Sequence, residues 1–231
     1  MFRKLALTGG LTAVSLLAMA TSASAATQLF SFTLDGSSSG LGAGPYGSVA
    51  VTEVSTPGGN ALDFLITINS AWRINDGNTN HRAFTFSLAN NPQVSVTKLP
   101  DNRFTPISIS QANGVSAPPF WNGSNVQYVG IDYDGGGSGW NRGFSGPLSF
   151  RVMSSSYALT LNSLVSRVYN SHNVYFTTDL VTANGNTGNV AAVMVNGAVP
   201  EPSTWALLIV GFGAIGNGMR GRNSKRALAA A

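Results

Sequence analysis

Gln28-Leu29-Phe30-Ser31-Phe32-Thr33-Leu34 is the stretch on which the fold turns. In an extended chain successive side chains point to opposite faces, so Phe30, Phe32 and Leu34 fall on one face and Leu29, Ser31 and Thr33 on the other. An α-helix would scatter these residues around its circumference. The same period of two runs through Ser48-Val49-Ala50-Val51-Thr52-Glu53-Val54 and Leu62-Asp63-Phe64-Leu65-Ile66-Thr67-Ile68. β-Branched and aromatic residues fill all three segments, as a half-buried pleated surface favours.

Beyond these three, further strands are expected at Ala83–Leu88, Val94–Lys98, Ile107–Ser110, Val126–Tyr133, Leu148–Met153, Tyr157–Leu161, Val174–Val181 and Val190–Val195. Turn residues separate them: Asp35-Gly36, Pro57-Gly58-Gly59-Asn60, Asn75-Asp76-Gly77-Asn78, Asn122-Gly123, Asp134-Gly135-Gly136-Gly137, Gly146-Pro147 and Asn184-Gly185-Asn186. A helical turn is hinted only at Asn162–Val168. Many short strands with regular breaks predict an all-β fold, a two-sheet antiparallel sandwich of jelly-roll type, with a barrel as the alternative. No fixed-period repeat points to a solenoid or propeller.

The two ends differ from this middle. Arg3 and Lys4 precede an uncharged run from Leu5 to Ala20, and Ala23-Ser24-Ala25 supplies small residues. That order predicts a secretory signal peptide over 1–25, cut between Ala25 and Ala26. At the other end Pro200-Glu201-Pro202-Ser203-Thr204-Trp205-Ala206 leads into an uncharged stretch from Trp205 to Met219. Arg220, Arg222, Lys225 and Arg226 then form a basic stop. Pro200 and Pro202 fix φ and bias Glu201 towards an extended backbone that a peptidase can read. As a helix, 205–219 would be roughly 22 Å long against ~30 Å of hydrocarbon, a short span needing Trp205 at one interface and snorkelling arginines at the other. The basic cluster predicts a cytoplasmic C-terminus. The expected organisation is therefore a signal peptide (1–25), a β domain (26–197) and a C-terminal sorting segment (198–231).

The formal charge of +4 belongs to those ends. Between Ala26 and Val199, seven basic residues face seven Asp and one Glu, which leaves the body at −1. A nucleic-acid partner is excluded on that balance. The chain has no cysteine, so packing and strand pairing must stabilise it without disulfides.

The tail resembles the PEP-CTERM sorting signal of Gram-negative bacteria, in the variant with Trp and Ala after the tripeptide. Pro200, Glu201, Pro202, Trp205 and Ala206, the run Leu207–Gly216 and the basic cluster carry the resemblance. It implies processing by exosortase, a membrane-embedded cysteine peptidase, near the tripeptide. It also implies bacteria that make extracellular polysaccharide and biofilm. Four phrases of the body resemble β-rich proteins that carry the same signal: Gly44–Val49, His81–Leu88, Phe144–Phe150 and Asn186–Ala191. That likeness implies a shared fold and no particular chemistry.

Candidate chemistry in the body is sparse. Gly42-Ala43-Gly44-Pro45-Tyr46-Gly47 fits the dinucleotide glycine pattern in form, but Pro45 interrupts it and a strand comes next where a helix is needed. Gly36-Ser37-Ser38-Ser39-Gly40 fits the nucleophile-elbow pattern by composition, with only His81 and His172 to serve as base. Asp132 and Asp134, on one face of a strand running into Gly135-Gly136-Gly137, form a weak Ca²⁺ candidate. Asp76, His81 and Arg82 cluster in a polar loop with too few ligands for zinc. Trp121 and Trp140, with Trp72, Tyr128, Tyr133 and Tyr157 nearby in type, are the candidate glycan-stacking rings. For a glycosidase, Asp132 or Asp134 with Glu53 or Asp179 are the carboxylate pairs to check. Thr residues scattered among unlike strands do not predict a flat ice-binding array.

The expectation is thus an exported, non-enzymatic surface or matrix protein without a cofactor. Its expected partners are signal peptidase, an exosortase-type peptidase and, in transit, the inner membrane. The alternative is a carbohydrate-binding module for exopolysaccharide.

Overall fold

A computed structural model describes residues 25–36, 40–75, 82–100, 107–113, 120, 127–133 and 139–195, with the backbone alone for 107–113, 127–128 and 133. The signal peptide up to Ser24, the sorting segment, Asp76, His81, Trp121 and Asp134 lie outside them.

Twelve strands are described: β1 (Thr27–Asp35), β2 (Gly47–Thr56), β3 (Gly59–Ile68), β4 (Trp72–Ile74), β5 (Phe84–Phe86), β6 (Val94–Lys98), β7 (Ile107–Asn113), β8 (Gln127–Tyr133), β9 (Leu148–Ser154), β10 (Arg167–Tyr169), β11 (His172–Thr182) and β12 (Thr187–Met194). The only helical elements among the described residues are 3-10 turns at Trp140–Arg142 and Leu161–Ser163. The second takes up the start of the hinted helical turn, and no strand forms at Tyr157–Leu161. There Tyr157 turns inward, and its hydroxyl donates to the Ala89 carbonyl at 2.5 Å.

The all-β antiparallel character is as read from the alternation. The division into two sheets is not found: the ladders join all the described strands into one sheet, in the order β6-β9-β3-β2-β1-β12-β11-β5-β8-β7. β4 and β10 pair with β11 off this path. Every ladder among the described strands is antiparallel. Bulges interrupt the β1–β12 register between Phe32 and Leu34, and the β11–β12 register between Val174 and Phe176. A bulge bends its strand and increases the local twist. Placed in the middle of the order, these two let the sheet curl until its halves face each other.

The core records that curl. Phe64 on β3 stacks on Phe150 of the neighbouring β9 at 5.0 Å. It also meets Phe86 of β5 at 4.8 Å and Phe176 of β11 at 6.0 Å, across the interior. Phe30, Phe32, Phe64, Phe84, Phe86, Phe150 and Phe176 are all fully buried. At the open ends of the order, the backbones of β6 and β7 come alongside each other.

Register fixes what each face carries. Inward, Phe30, Val49, Ile66 and Leu148 form one row across β1, β2, β3 and β9. Outward, one residue along, Leu29 pairs with Ala50 and Ala50 with Leu65. Gly47 pairs with Phe32 of β1 and Ile68 of β3, and a Cβ there would collide with the Thr67 carbonyl oxygen.

Candidate functional site

The outer face over β11 holds the largest buried polar set among the described residues. Three short strands, β10, β5 and β4, share one edge of β11 in succession. Asn75, at the end of β4, and the turn at 139–143 lie against its outward residues. Thr177, Asp179 and Val181 point outward by alternation, yet all three are buried. Asp179, 4% exposed, accepts a hydrogen bond from Asn75 Nδ2 at 2.7 Å. The Asn75 backbone N–H donates to the Asp179 carbonyl at 2.8 Å. Asn75 Oδ1 accepts from Gly139 N at 3.2 Å, which ties the turn at 139–143 to the sheet.

Arg73, two residues before Asn75, holds the same turn from the side. Its Nη1 donates to the Trp140 carbonyl at 2.9 Å, and its guanidinium carbon lies 4.2 Å from the centre of the Trp140 ring. This cation–π contact occupies one face of a half-buried ring. Gly143 packs on the Arg73 stem so closely that a Cβ would clash with it. Sequence reading singled out Trp140 and Asp179 but missed Arg73 and Asn75, whose only signal was their place next to a turn.

Asp132 is also on the outer face, since Ile131 points into the core. It forms an ion pair with Arg82, whose stem crosses Gly130. Asp132 Oδ1 and Arg82 Nε are buried without a hydrogen-bond partner. The Ca²⁺ candidate thus has one carboxylate neutralised by an arginine, and its second member, Asp134, lies outside the described residues. No group of three or more His, Cys, Asp or Glu comes together among those described.

The remaining candidates are dispersed. Glu53 accepts from Leu161 N at 2.6 Å and so fastens the second 3-10 turn to β2, away from Asp132 and Asp179. Asp63 is held by Arg151 through two bonds, of 2.6 and 2.7 Å. That hydrogen-bonded carboxylate raises the Arg151 pKa, against the opposing effect of desolvation. His172 opens β11 in an exposed position. Trp72 meets Tyr46 edge-on at 5.0 Å, and its indole N–H donates to the Leu41 carbonyl at 2.9 Å. Tyr46 in turn donates to the Gly42 carbonyl at 2.8 Å. The glycine-rich stretch 42–47 is therefore a loop pinned by two aromatic rings. Burial, reinforced by the Asp35 carboxylate, pushes the Tyr46 phenol above its ordinary pKa. Tyr128 and Tyr133 lie on β8, with only their backbone described.

The ends of the body form a separate feature. Phe30 pairs with Met194, and Val195 N donates to the Leu29 carbonyl at 3.0 Å. Gln28 Nε2 reaches the Val195 carbonyl at 3.5 Å. Ala26, the residue expected after signal cleavage, accepts from Glu53 N at 2.8 Å. The chain therefore enters and leaves the sheet side by side, on adjacent strands and at one end. A cleft of about 310 Å³ opens there, between Gln28, Phe30 and Met194 on one side and Leu161, Asn162 and Leu164 on the other.

The segment beyond Val195 gives this end its meaning. Residues 198–226 match the PEP-CTERM protein-sorting motif. The chain carries a PEP-CTERM sorting signal. The PEP-CTERM match begins three residues beyond Val195 and takes in Pro200, Glu201, Pro202, Trp205, Ala206, Arg220, Arg222, Lys225 and Arg226. It implies export, transient membrane anchoring and sorting through exosortase. No helix among the described residues is long and apolar enough to cross a membrane; the stretch 205–219 lies outside them. No curated protein and no solved structure matches the chain.

Proposed function

We propose that this protein is an exported surface or matrix component whose curled β-sheet serves as a stable, non-enzymatic body delivered by its PEP-CTERM signal. In this reading signal peptidase cuts after Ala25, the segment 205–219 holds the body briefly at the inner membrane, and exosortase cuts near Pro200-Glu201-Pro202. The exit of both chain ends at one end of the sheet carries the reading. A body anchored through either end, or both, presents the same end to the bilayer, and trimming at either place removes no described strand. A passive role is supported by how the carboxylates are used: Asp63, Asp132, Asp179 and Glu53 each fasten one element to another.

The test is replacement of Pro200, Glu201 and Pro202 by Ala in the native host. The expected product is an unprocessed form that fractionates with membranes. Unchanged size and location would overturn the sorting role of the tripeptide.

Binding of exopolysaccharide is the second reading. The turn at 140–142 favours it, because a half-buried Trp140 there adjoins exposed Asn141 and Arg142, an aromatic surface beside polar tips. With one ring face on Arg73, a sugar would use the other. Trp140→Ala should then abolish retention on the host polysaccharide, while equal retention would remove the stacking role.

A further inference from the structure

Five large hydrophobic side chains are exposed among the described residues: Leu29, Leu65, Val168, Met194 and Val195. Three of them share one row. Leu65 of β3 pairs with Ala50 of β2, Ala50 with Leu29 of β1, and the Leu29 carbonyl accepts from Val195 N at the end of β12. Leu65, Leu29 and Val195 are 45%, 39% and 41% exposed, with half-buried Ala50 filling the gap. The row therefore crosses four adjacent strands on the outer face, and its last member is the residue from which the chain departs towards the sorting signal.

The rows on either side are polar over β1, β2 and β3 and carry no net charge. Towards the chain ends, Thr27, Thr52, Asp63 and Arg151 lie in register. Thr27 and Thr52 share a hydrogen bond at 2.9 Å, and Asp63 is neutralised by Arg151. On the other side lie Ser31, Ser48 and Thr67, with half-buried Val193 of β12 paired to Ser31. An apolar row bordered by hydroxyls suits the boundary between lipid headgroups and acyl chains, where apolar area is buried and hydroxyls find acceptors.

We infer that this row is a membrane-surface contact, by which the tethered body lies on the bilayer with its β1–β2–β3 outer face down. The inference rests on the anchoring reading above. From Val195 to Trp205 the chain has ten residues, a tether of at most roughly 36 Å when fully extended. The row thus stays within reach of the bilayer for as long as the tail is inserted. Tethering raises the effective concentration of the contact, so a weak surface suffices. Four side chains in a single row offer far less than the ~800 Å² per partner that a stable protein–protein interface buries, which argues against a second copy. Because the flanking rows are neutral, the contact does not require anionic lipid. Cleavage near the tripeptide severs the tether, and the row then releases.

The chain has no cysteine, so one introduced thiol gives a unique spin label. The full-length protein carrying Leu65→Cys is reconstituted into phosphatidylcholine vesicles and labelled with a nitroxide. Collision rates are measured with oxygen, which concentrates in lipid, and with a water-soluble nickel chelate. Ala183→Cys, in the exposed hairpin at the opposite end of β12, is the reference. The expected result is several-fold preference for oxygen at position 65 and for nickel at 183. Should Leu65→Cys not fold, Ala50→Cys supplies the same reading from the middle of the row. A protein that does not float with the vesicles overturns both the anchoring reading and this one. Flotation with nickel-accessible labels at positions 65 and 50, or dipolar coupling between labels of two copies, overturns this inference alone.

Discussion

Phe64 and Leu65 are neighbours on β3, yet they belong to different regions of the molecule. Phe64 faces inward and touches rings from β5, β9 and β11, so it joins the two halves of the curled sheet. Leu65 faces outward and is 45% exposed. The inner face is mostly apolar, built around a layer of phenylalanines. The outer face is divided: over β1, β2 and β3 it is open, with an apolar row, whereas over β11 it is covered by loops and holds buried polar groups. Inside, shape complementarity decides most of what is allowed, with Thr178 held by its bond to the Ala83 carbonyl. Outside, each residue answers to a particular neighbour, whether loop, solvent or bilayer.

That contrast is strained most by cutting the inner layer. Phe64→Ala should cost about 3–5 kcal/mol in chemical unfolding, as removal of a fully buried ring does. A cost below about 1 kcal/mol would mean that the halves of the sheet do not depend on each other.

Next in size is the covered part of the outer face. Asn75→Ala removes a bond to a buried carboxylate and the tie to Gly139. A loss of about 1.5–3 kcal/mol is expected. Tryptophan fluorescence should also change as the Trp140 turn loosens on Arg73. Unaltered fluorescence would show that Arg73 alone positions the ring.

A smaller effect, visible mainly in its pH dependence, belongs to Tyr46. Its phenol is raised above the ordinary 10.0 in the folded protein, so the unfolded chain loses this proton first as the pH rises. The associated stability is present below pH 10 and is lost as the pH climbs through the higher folded value. Tyr46→Phe should cost about 0.5–1.5 kcal/mol at neutral pH, the worth of its hydrogen bond to Gly42. It should also flatten the decline above pH 10. An unchanged alkaline slope would assign that decline to another group.

The smallest effect belongs to the open outer row. Leu65→Ser should change stability by no more than about 0.5 kcal/mol, as exposed positions away from special features do. A loss approaching that of Phe64→Ala would show that the row is part of the core.

Alternation with a period of two made β1, β2, β3, β6, β9 and β11 legible, because each has one face against the phenylalanine layer. β4 and β10 are three residues each, too short for a period to be seen. The β10–β11 hairpin turns on Asn170 and Ser171, both at positive φ, a pair that lacks the glycine usually sought there. Tyr157–Leu161 has a strand-like composition, but its apolar residues pack as a loop beneath Ala89 and Asn60. The curl was hidden for another reason: it depends on two bulges, and a bulge is a property of register between strands. The same limit applied to the outer face. Arg82 beside Asp132 and Arg73 over Trp140 are contacts between residues 50 and 67 positions apart in sequence. The sorting signal needed no register, since its meaning is linear.

Delivery by two terminal signals is tested at its root by the intact mass of the protein recovered from outside the native host's cells. The expected species begins at Ala26 and ends near Pro200-Glu201-Pro202, with the β body whole between them. A full-length species running from Met1 to Ala231, found soluble in the cytosol and absent from the exterior, would contradict it.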